Sequence, residues 1–154
     1  MMGHVLQTGH IDAPPDRAFD LAIDAARLPE WNSSVTLVKE ITGSLDQVGS
    51  SYMSVLKLGG RPLEGRWEVT RVERPRLLEF TGTAPGGGRA TSKNRFESSD
   101  AGTDVTIEVD YELPGGFVGG LADKLFVERA IERDVKHSVE NFKAICEAEV
   151  HVPA

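Results

Sequence analysis

Apolar and polar residues alternate through the middle of the chain and recur at helical spacing near its two ends. Residues His4 to Ile11 (HVLQTGHI) read as a first strand. The next segment, APPDRAFDLAID, changes to helical spacing, with Phe19, Ala22 and Ile23 on one face. Pro15 and Asp16 suit a helix start: proline's missing N–H has no partner in the first turn, and a carboxylate favours the positive end of the helix dipole. A second short helix is expected around Ala26 to Trp31, its length limited by Pro29.

From Ser34 to Leu113 the pattern predicts six strands: Val35 to Thr42, Ser50 to Leu58, Leu63 to Glu73, Leu77 to Thr83, Ala90 to Ser98 and Asp104 to Leu113. Between them lie Gly43 to Gly49, Gly59-Gly60, Arg74-Pro75-Arg76, Pro85 to Gly88 and Asp100 to Gly102, all rich in residues that tolerate tight backbone. Connections this short favour an antiparallel meander, because parallel crossovers need a dozen or more residues. The last strand places Val105, Ile107, Val109, Tyr111 and Leu113 on one face and Thr106, Glu108, Asp110 and Glu112 on the other. One face is therefore buried and one wet.

After the link Pro114 to Gly120, helical periodicity continues to about Glu149, with Leu121, Leu125, Ile131, Val135, Val139, Phe142 and Cys146 forming a stripe. Such a helix is about 40 Å long and can cover the apolar face of the sheet. Residues 151–154 read as a frayed tail. The expected architecture is α+β: a seven-stranded curved antiparallel sheet gripping a long C-terminal helix, with two short helices between the first two strands. Residues 1–154 form one domain, a length at which folding typically buries about 70% of the unfolded chain's surface.

Composition narrows the function. Apolar residues make up 40% and charged residues 27%, as in ordinary globular proteins, and no stretch approaches the roughly 20 apolar residues of a membrane span. Met1 to Gln7 lacks the basic region and apolar run of a signal peptide, so a cytoplasmic protein without integral membrane association is expected. A net charge of −7 argues against nucleic acid as a partner, which normally draws on a basic patch. The single cysteine, Cys146, permits no internal disulfide and falls on the helix stripe, where a small buried side chain is its role.

Gly86-Gly87-Gly88 lacks the following Gly-Lys-Ser/Thr of a phosphate loop. His4, His10, His137 and His151 show no zinc-binding spacing, and there is no G-x-S-x-G nucleophile element. No metal or cofactor is expected.

Several residues stand together in a recognisable order: Ile11-Asp12-Ala13-Pro14-Pro15 closing the first strand, then Phe19, Asp24 and Pro29-Glu30-Trp31. Further on come Trp67-Glu68-Val69-Thr70, Glu73-Arg74-Pro75, Leu78-x-Phe80 and Gly102-Thr103-x-Val105. Over nearly its whole length the chain resembles the START-like superfamily, also called SRPBCC or helix-grip. Within it the chain looks most like the polyketide cyclase/dehydrase and lipid-transport branch. The resemblance implies a cavity between the sheet and the long helix. Its members hold lipids, sterols, plant hormones or polyketides; some catalyse cyclisation or dehydration, and others carry or sense a ligand.

Strand parity then selects cavity candidates. The inward sets are Tyr52, Ser54, Leu56 and Leu58; Trp67 and Val69; Ser92, Asn94 and Phe96; and Val109 with Tyr111. Trp31 and Trp67 offer apolar walls, as ligand contacts or as plain core. Tyr52 and Tyr111 offer hydroxyls that either orient a ligand or reach water. Glu128, with Glu132, projects near the centre of the helix stripe, where a carboxylate needs a wet cavity, a cationic partner or simple exposure. The ligand-cavity set is thus Trp31, Tyr52, Trp67, Asn94, Tyr111 and Glu128, with no catalytic residue assigned. Phe117 and Val118, between glycine pairs, read as a gate or as a staple at the helix start.

The leading function is binding of a hydrophobic or amphipathic small molecule, lipid-like or polyketide-like. One alternative is a polyketide cyclase or dehydratase that uses polar cavity residues. The other is a regulatory module for a partner protein.

Overall fold

Every segment expected to alternate does form a strand. In the computed structural model, which describes residues 2–150, the strands are β1 (Met2–Ile11), β2 (Val35–Thr42), β3 (Ser51–Leu58), β4 (Arg61–Glu73), β5 (Leu77–Ala84), β6 (Gly88–Ser99) and β7 (Gly102–Glu112). The helices are α1 (Pro15–Ala22), α2 (Leu28–Trp31) and α3 (Leu121–Val150), with a 3₁₀ turn at Ala25–Arg27 leading into α2. The expected tail at residues 151–154 lies outside the described residues.

The seven strands form one antiparallel sheet in the order β1-β7-β6-β5-β4-β3-β2. β2 to β7 are a meander, and the connection through α1 and α2 carries the chain from one edge strand to the other. β4 starts two residues earlier than the pattern indicated. The reason is the two-residue hairpin Gly59-Gly60, whose φ values of +59° and +81° let Leu58 pair directly with Arg61. Register shifts at Val35/Leu37 and Lys39/Thr42 against β3, and at Val69/Arg71 against β5, bend the sheet, since an extra residue kinks its strand.

α3 lies closest to β1. At Gly9 the approach leaves no space for a side chain: a Cβ there would meet the Val139 side chain at 2.8 Å. Two apolar clusters result. The larger joins α1, α2 and the lower half of α3 to the sheet through Phe19, Trp31, Phe96, Phe142 and Cys146. The smaller, around Val5, Leu58, Leu113, Val127 and Ile131, lies under the start of α3. Burial pushes the Cys146 thiol up to about 12, so it stays protonated and serves as packing.

The expected helix stripe needs one correction. Leu121 and Leu125 are 75% and 46% exposed, whereas Val127, Ala130, Ile131, Ser138, Val139, Phe142 and Cys146 are buried. Stepping back by four from Val127 reaches Asp123 rather than a leucine, and Asp123 is bonded to Arg61 at the β3–β4 hairpin. The first turn of α3 therefore meets the sheet through an ion pair, which rotates its leucines outward.

On the outer face, His4 and His10 are each bonded to a β7 carboxylate, His4 to Asp110 at 2.7 Å and His10 to Asp104 at 2.9 Å. The Asp104 hydrogen bond is the main cause that raises the His10 pKa above its ordinary value. A raised pKa stabilises the folded state below the unfolded value of about 6.5, and that contribution is lost as pH rises through the folded value. An NMR titration should find His10 half-protonated above pH ~6.5, and Asp104→Asn should bring its midpoint down.

Candidate functional site

Between the two apolar clusters the sheet and α3 do not meet, and the space left is a cavity of about 190 Å³. Its floor is the inward parity of five strands: Tyr52 and Leu56 from β3, Trp67 from β4, Leu78 and Phe80 from β5, Asn94 from β6, and Ile107, Val109 and Tyr111 from β7. Its roof is Ile131, Val135 and Ser138 of α3. One end is closed by Ala22, Ala25, Leu28 and Trp31, and by Leu45, a buried side chain from the β2–β3 loop.

Trp31 is set by several contacts at once. The Asn141 amide donates to its carbonyl at 3.3 Å, and the neighbouring Ser33 N–H donates to Ser138 Oγ at 3.0 Å. Its ring stands edge-on to Phe142 at 5.0 Å. Trp67 donates from Nε1 to Ser54 Oγ at 3.1 Å and lies against Gly82, where an added Cβ would come within 2.7 Å of the indole. The wall thus depends on a glycine that makes room for a tryptophan. Asn94 donates from Nδ2 to the Leu78 carbonyl at 3.1 Å and to Ser92 Oγ at 3.3 Å.

Tyr52 is 6% exposed and packs edge-on to Phe80 at 6.1 Å. Burial alone pushes its pKa up, so its hydroxyl is neutral throughout the physiological range. Tyr111 is half-buried and lies across Gly3 of β1, where an added Cβ would overlap its ring. Its pKa is pushed up to about 12, first by burial and then by the charges of Glu128 and Glu132.

Five of the six residues selected by parity and by the α2 motif, Trp31, Tyr52, Trp67, Asn94 and Tyr111, lie on the cavity wall. Glu128 does not. It is one residue past Val127, about 100° round the helix from the buried line, and pairs with Lys124 at 3.8 Å. Its neighbour Glu132 is exposed for the same reason.

The charged lining residues among those described are Arg89 and Glu112, cross-strand partners on β6 and β7 whose side chains are joined at 2.8 Å. They stand beside Ala84, Gly88 and Pro114, where the β5–β6 hairpin tip meets the link to α3, the Gly115 N–H donating to the Gly86 carbonyl at 3.0 Å. Phe117 and Val118 pack against the smaller cluster and are not on the cavity wall itself.

Neither Leu45 nor the Arg61 clasp was found from sequence. Leu45 had a signal, an apolar side chain inside a polar turn. Arg61 had none, since its partner is 62 residues away. Its guanidinium donates to both Asp123 carboxylate oxygens at 2.7 Å and to the Phe117 carbonyl at 2.6 Å, while the Gly119 N–H donates to Asp123 Oδ2 at 2.7 Å. One residue of the β3–β4 hairpin thereby holds the whole β7–α3 link. The Arg61 bond is the main cause holding the Asp123 carboxyl below its ordinary value. A lowered carboxyl pKa stabilises the clasp above the unfolded value of about 3.9, and this is lost as pH falls through the folded value. Arg61→Ala should leave stability nearly unchanged, as expected of an exposed pair. It should nevertheless speed the release of a bound dye, and wild-type release should approach the mutant rate only once pH falls through the folded Asp123 value, which lies below ~3.9; stopped-flow fluorescence reads both.

Comparison with known proteins agrees with this architecture. The chain is 25% identical over 143 residues to Toxin Rv0910 of Mycobacterium tuberculosis (strain ATCC 25618 / H37Rv), covering 90% of this chain and 95% of that protein. Its fold is similar to that of the Zhui aromatase/cyclase from Streptomyces sp. R1128, with a TM-score of 0.79 at 18% identity, covering 99% of this chain and 98% of that one. It is also similar to a START superfamily protein from Mycobacterium smegmatis, with a TM-score of 0.76 at 12% identity and coverage of 95% and 98%. At such identities the structural likenesses speak for fold alone. The sequence itself matches the model of the family described as polyketide cyclase/dehydrase and lipid transport over residues 2–147, and the chain belongs to that family.

Proposed function

We propose that this domain binds a small, predominantly apolar molecule in the cavity between the sheet and α3. The observation that carries the reading is the cavity itself, about 190 Å³ walled by Trp31, Tyr52, Trp67, Phe80 and Val109 with only a few polar groups, the usual make-up of a ligand site. The family's association with cyclisation and lipid transport, and the aromatase/cyclase likeness, are compatible with this.

Binding is favoured over catalysis by the ionisable groups on the wall. Tyr52 and Tyr111 have raised pKa values, and Arg89 and Glu112 neutralise each other. Neither tyrosine is poised to exchange a proton near neutral pH, as general acid–base chemistry would require of it. A second reading, action on a partner protein, draws on the exposed Leu121, Leu125 and Phe126 and on the toxin name of the Mycobacterium tuberculosis relative.

Phe117 and Val118 extend the first reading: they form a gate whose position is set by the Arg61 clasp. Native mass spectrometry of the purified protein, followed by denaturation and identification of what is released, tests the function. A stoichiometric apolar molecule supports binding. A consistently empty protein that also fails a thermal-shift screen of lipids and polyphenols moves the weight to the partner reading.

A further inference from the structure

Two tyrosine hydroxyls on the cavity wall make no hydrogen bond among the described residues: that of Tyr111 lies against Gly3 of β1, which leaves Tyr52 as the one buried within the wall. The Asn94 amide N–H is used on Leu78 and Ser92, Trp67 Nε1 on Ser54, and Ser138 Oγ on the Asp134 carbonyl. Ser34 Oγ is turned to Asp134 Oδ2 at 3.3 Å. Trp31 Nε1 has no partner among the described residues, but the atom is fully enclosed and has no surface on the cavity. The Tyr52 hydroxyl differs from it: burial is the one influence on its titration, no hydrogen bond among them, and yet it is not an enclosed atom. A hydroxyl in that position opens onto the void, and burying it without a partner is unfavourable until something there accepts its proton.

The same wall disfavours charge. Arg89 and Glu112 are already paired at the rim, and Glu128 and Glu132 act on Tyr111 from the α3 side. Among the described lining residues an anion entering would meet no free cation, and a cation no free carboxylate. An unpaired ion inside an apolar site is strongly unfavourable. Size adds a further limit. A cavity of about 150 Å³ holds one benzene ring, so 190 Å³ suits one or two rings rather than the paired acyl chains of a membrane lipid.

We infer that the cavity selects a compact, uncharged ligand carrying a hydrogen-bond-accepting oxygen, which the Tyr52 hydroxyl receives. The inference rests on the ligand-binding reading and specifies its chemistry. Tyr52 is the specificity-determining residue, and the aromatic walls supply contact area without discriminating among oxygen-bearing groups.

Three naphthalenes substituted at the same ring position test this. Acetylnaphthalene carries a neutral acceptor, naphthoate has nearly the same shape with a negative charge, and ethylnaphthalene lacks the oxygen. Calorimetric titration of the full chain should show the ketone binding about tenfold or more tighter than either of the others, which is ~1.4 kcal/mol. Tyr52→Phe should lower the ketone's affinity to that of ethylnaphthalene while leaving ethylnaphthalene and the melting temperature unchanged. Naphthoate binding as tightly as the ketone, or a ketone preference that survives Tyr52→Phe, would overturn the inference while leaving a ligand-binding domain in place. Failure of all three to bind, with an empty protein in native mass spectrometry, would overturn the binding reading and this inference with it.

Discussion

Phe142→Ala should lower the unfolding free energy by about 3–5 kcal/mol, the range for removing a large aromatic side chain from a packed core. Phe142 is 2% exposed, stacks on Phe96 at 6.0 Å and receives the edge of Trp31 at 5.0 Å. It thus fastens α3 to β6 and to α2 in one place, and no single neighbour can collapse into the gap it leaves. Domains of this size are stable by only about 5–15 kcal/mol, so the variant should unfold at a much lower denaturant midpoint. Phe142→Leu, which keeps most of the volume, should recover a large part of the loss. An alanine variant within about 1 kcal/mol of wild type would mean that α3 is held elsewhere.

Val109→Phe is expected to abolish most ligand binding without unfolding the domain. Val109 is on the cavity wall, opposite Val5 on one side and Ser92 on the other, and packs at the margin of the larger apolar cluster. Overpacking a filled core costs about 1–3 kcal/mol, but here the added ring enters a void and gains contacts there. The melting temperature should stay level or rise, while affinity for acetylnaphthalene falls by about tenfold or more, ~1.4 kcal/mol. Affinity retained at the wild-type level would place the ligand outside this cavity and remove the functional reading.

The two variants probe opposite properties of one interior. Where α3 touches the sheet the core is tight, and where it rides over the central strands the interior is open. Gly9 draws the helix onto β1 through Val139, and the short α1 and α2 hold it at the far end through Trp31 and Phe142. Between these fixed points the curved sheet falls away, and the aromatic residues on its inner face line the gap.

Much of this was legible in the residues. Alternation in Val105, Ile107, Val109, Tyr111 and Leu113 determined both the strand and its buried face, because side chains along a strand repeat every two residues. The same parity put Tyr52, Trp67 and Asn94 on the wall, and Gly59-Gly60 marked a hairpin. Periodicity was weaker at the start of α3. Leu121 and Leu125 match the spacing of Ile131 and Val139 closely enough to be grouped with them, yet they face outward. A difference of one position moves a residue by 100°, and that carried Glu128 off the cavity wall.

The amino-acid sequence by itself determined the order of elements, the strand faces, the turn positions and family membership, since each follows from local spacing or from motifs read along the chain. Tertiary structure alone decided the phase of the first turns of α3, the clasp of Arg61 on Asp123 and the burial of Leu45. Those features depend on which groups meet across tens of residues, and whether a polar atom is satisfied is a property of its neighbours in space.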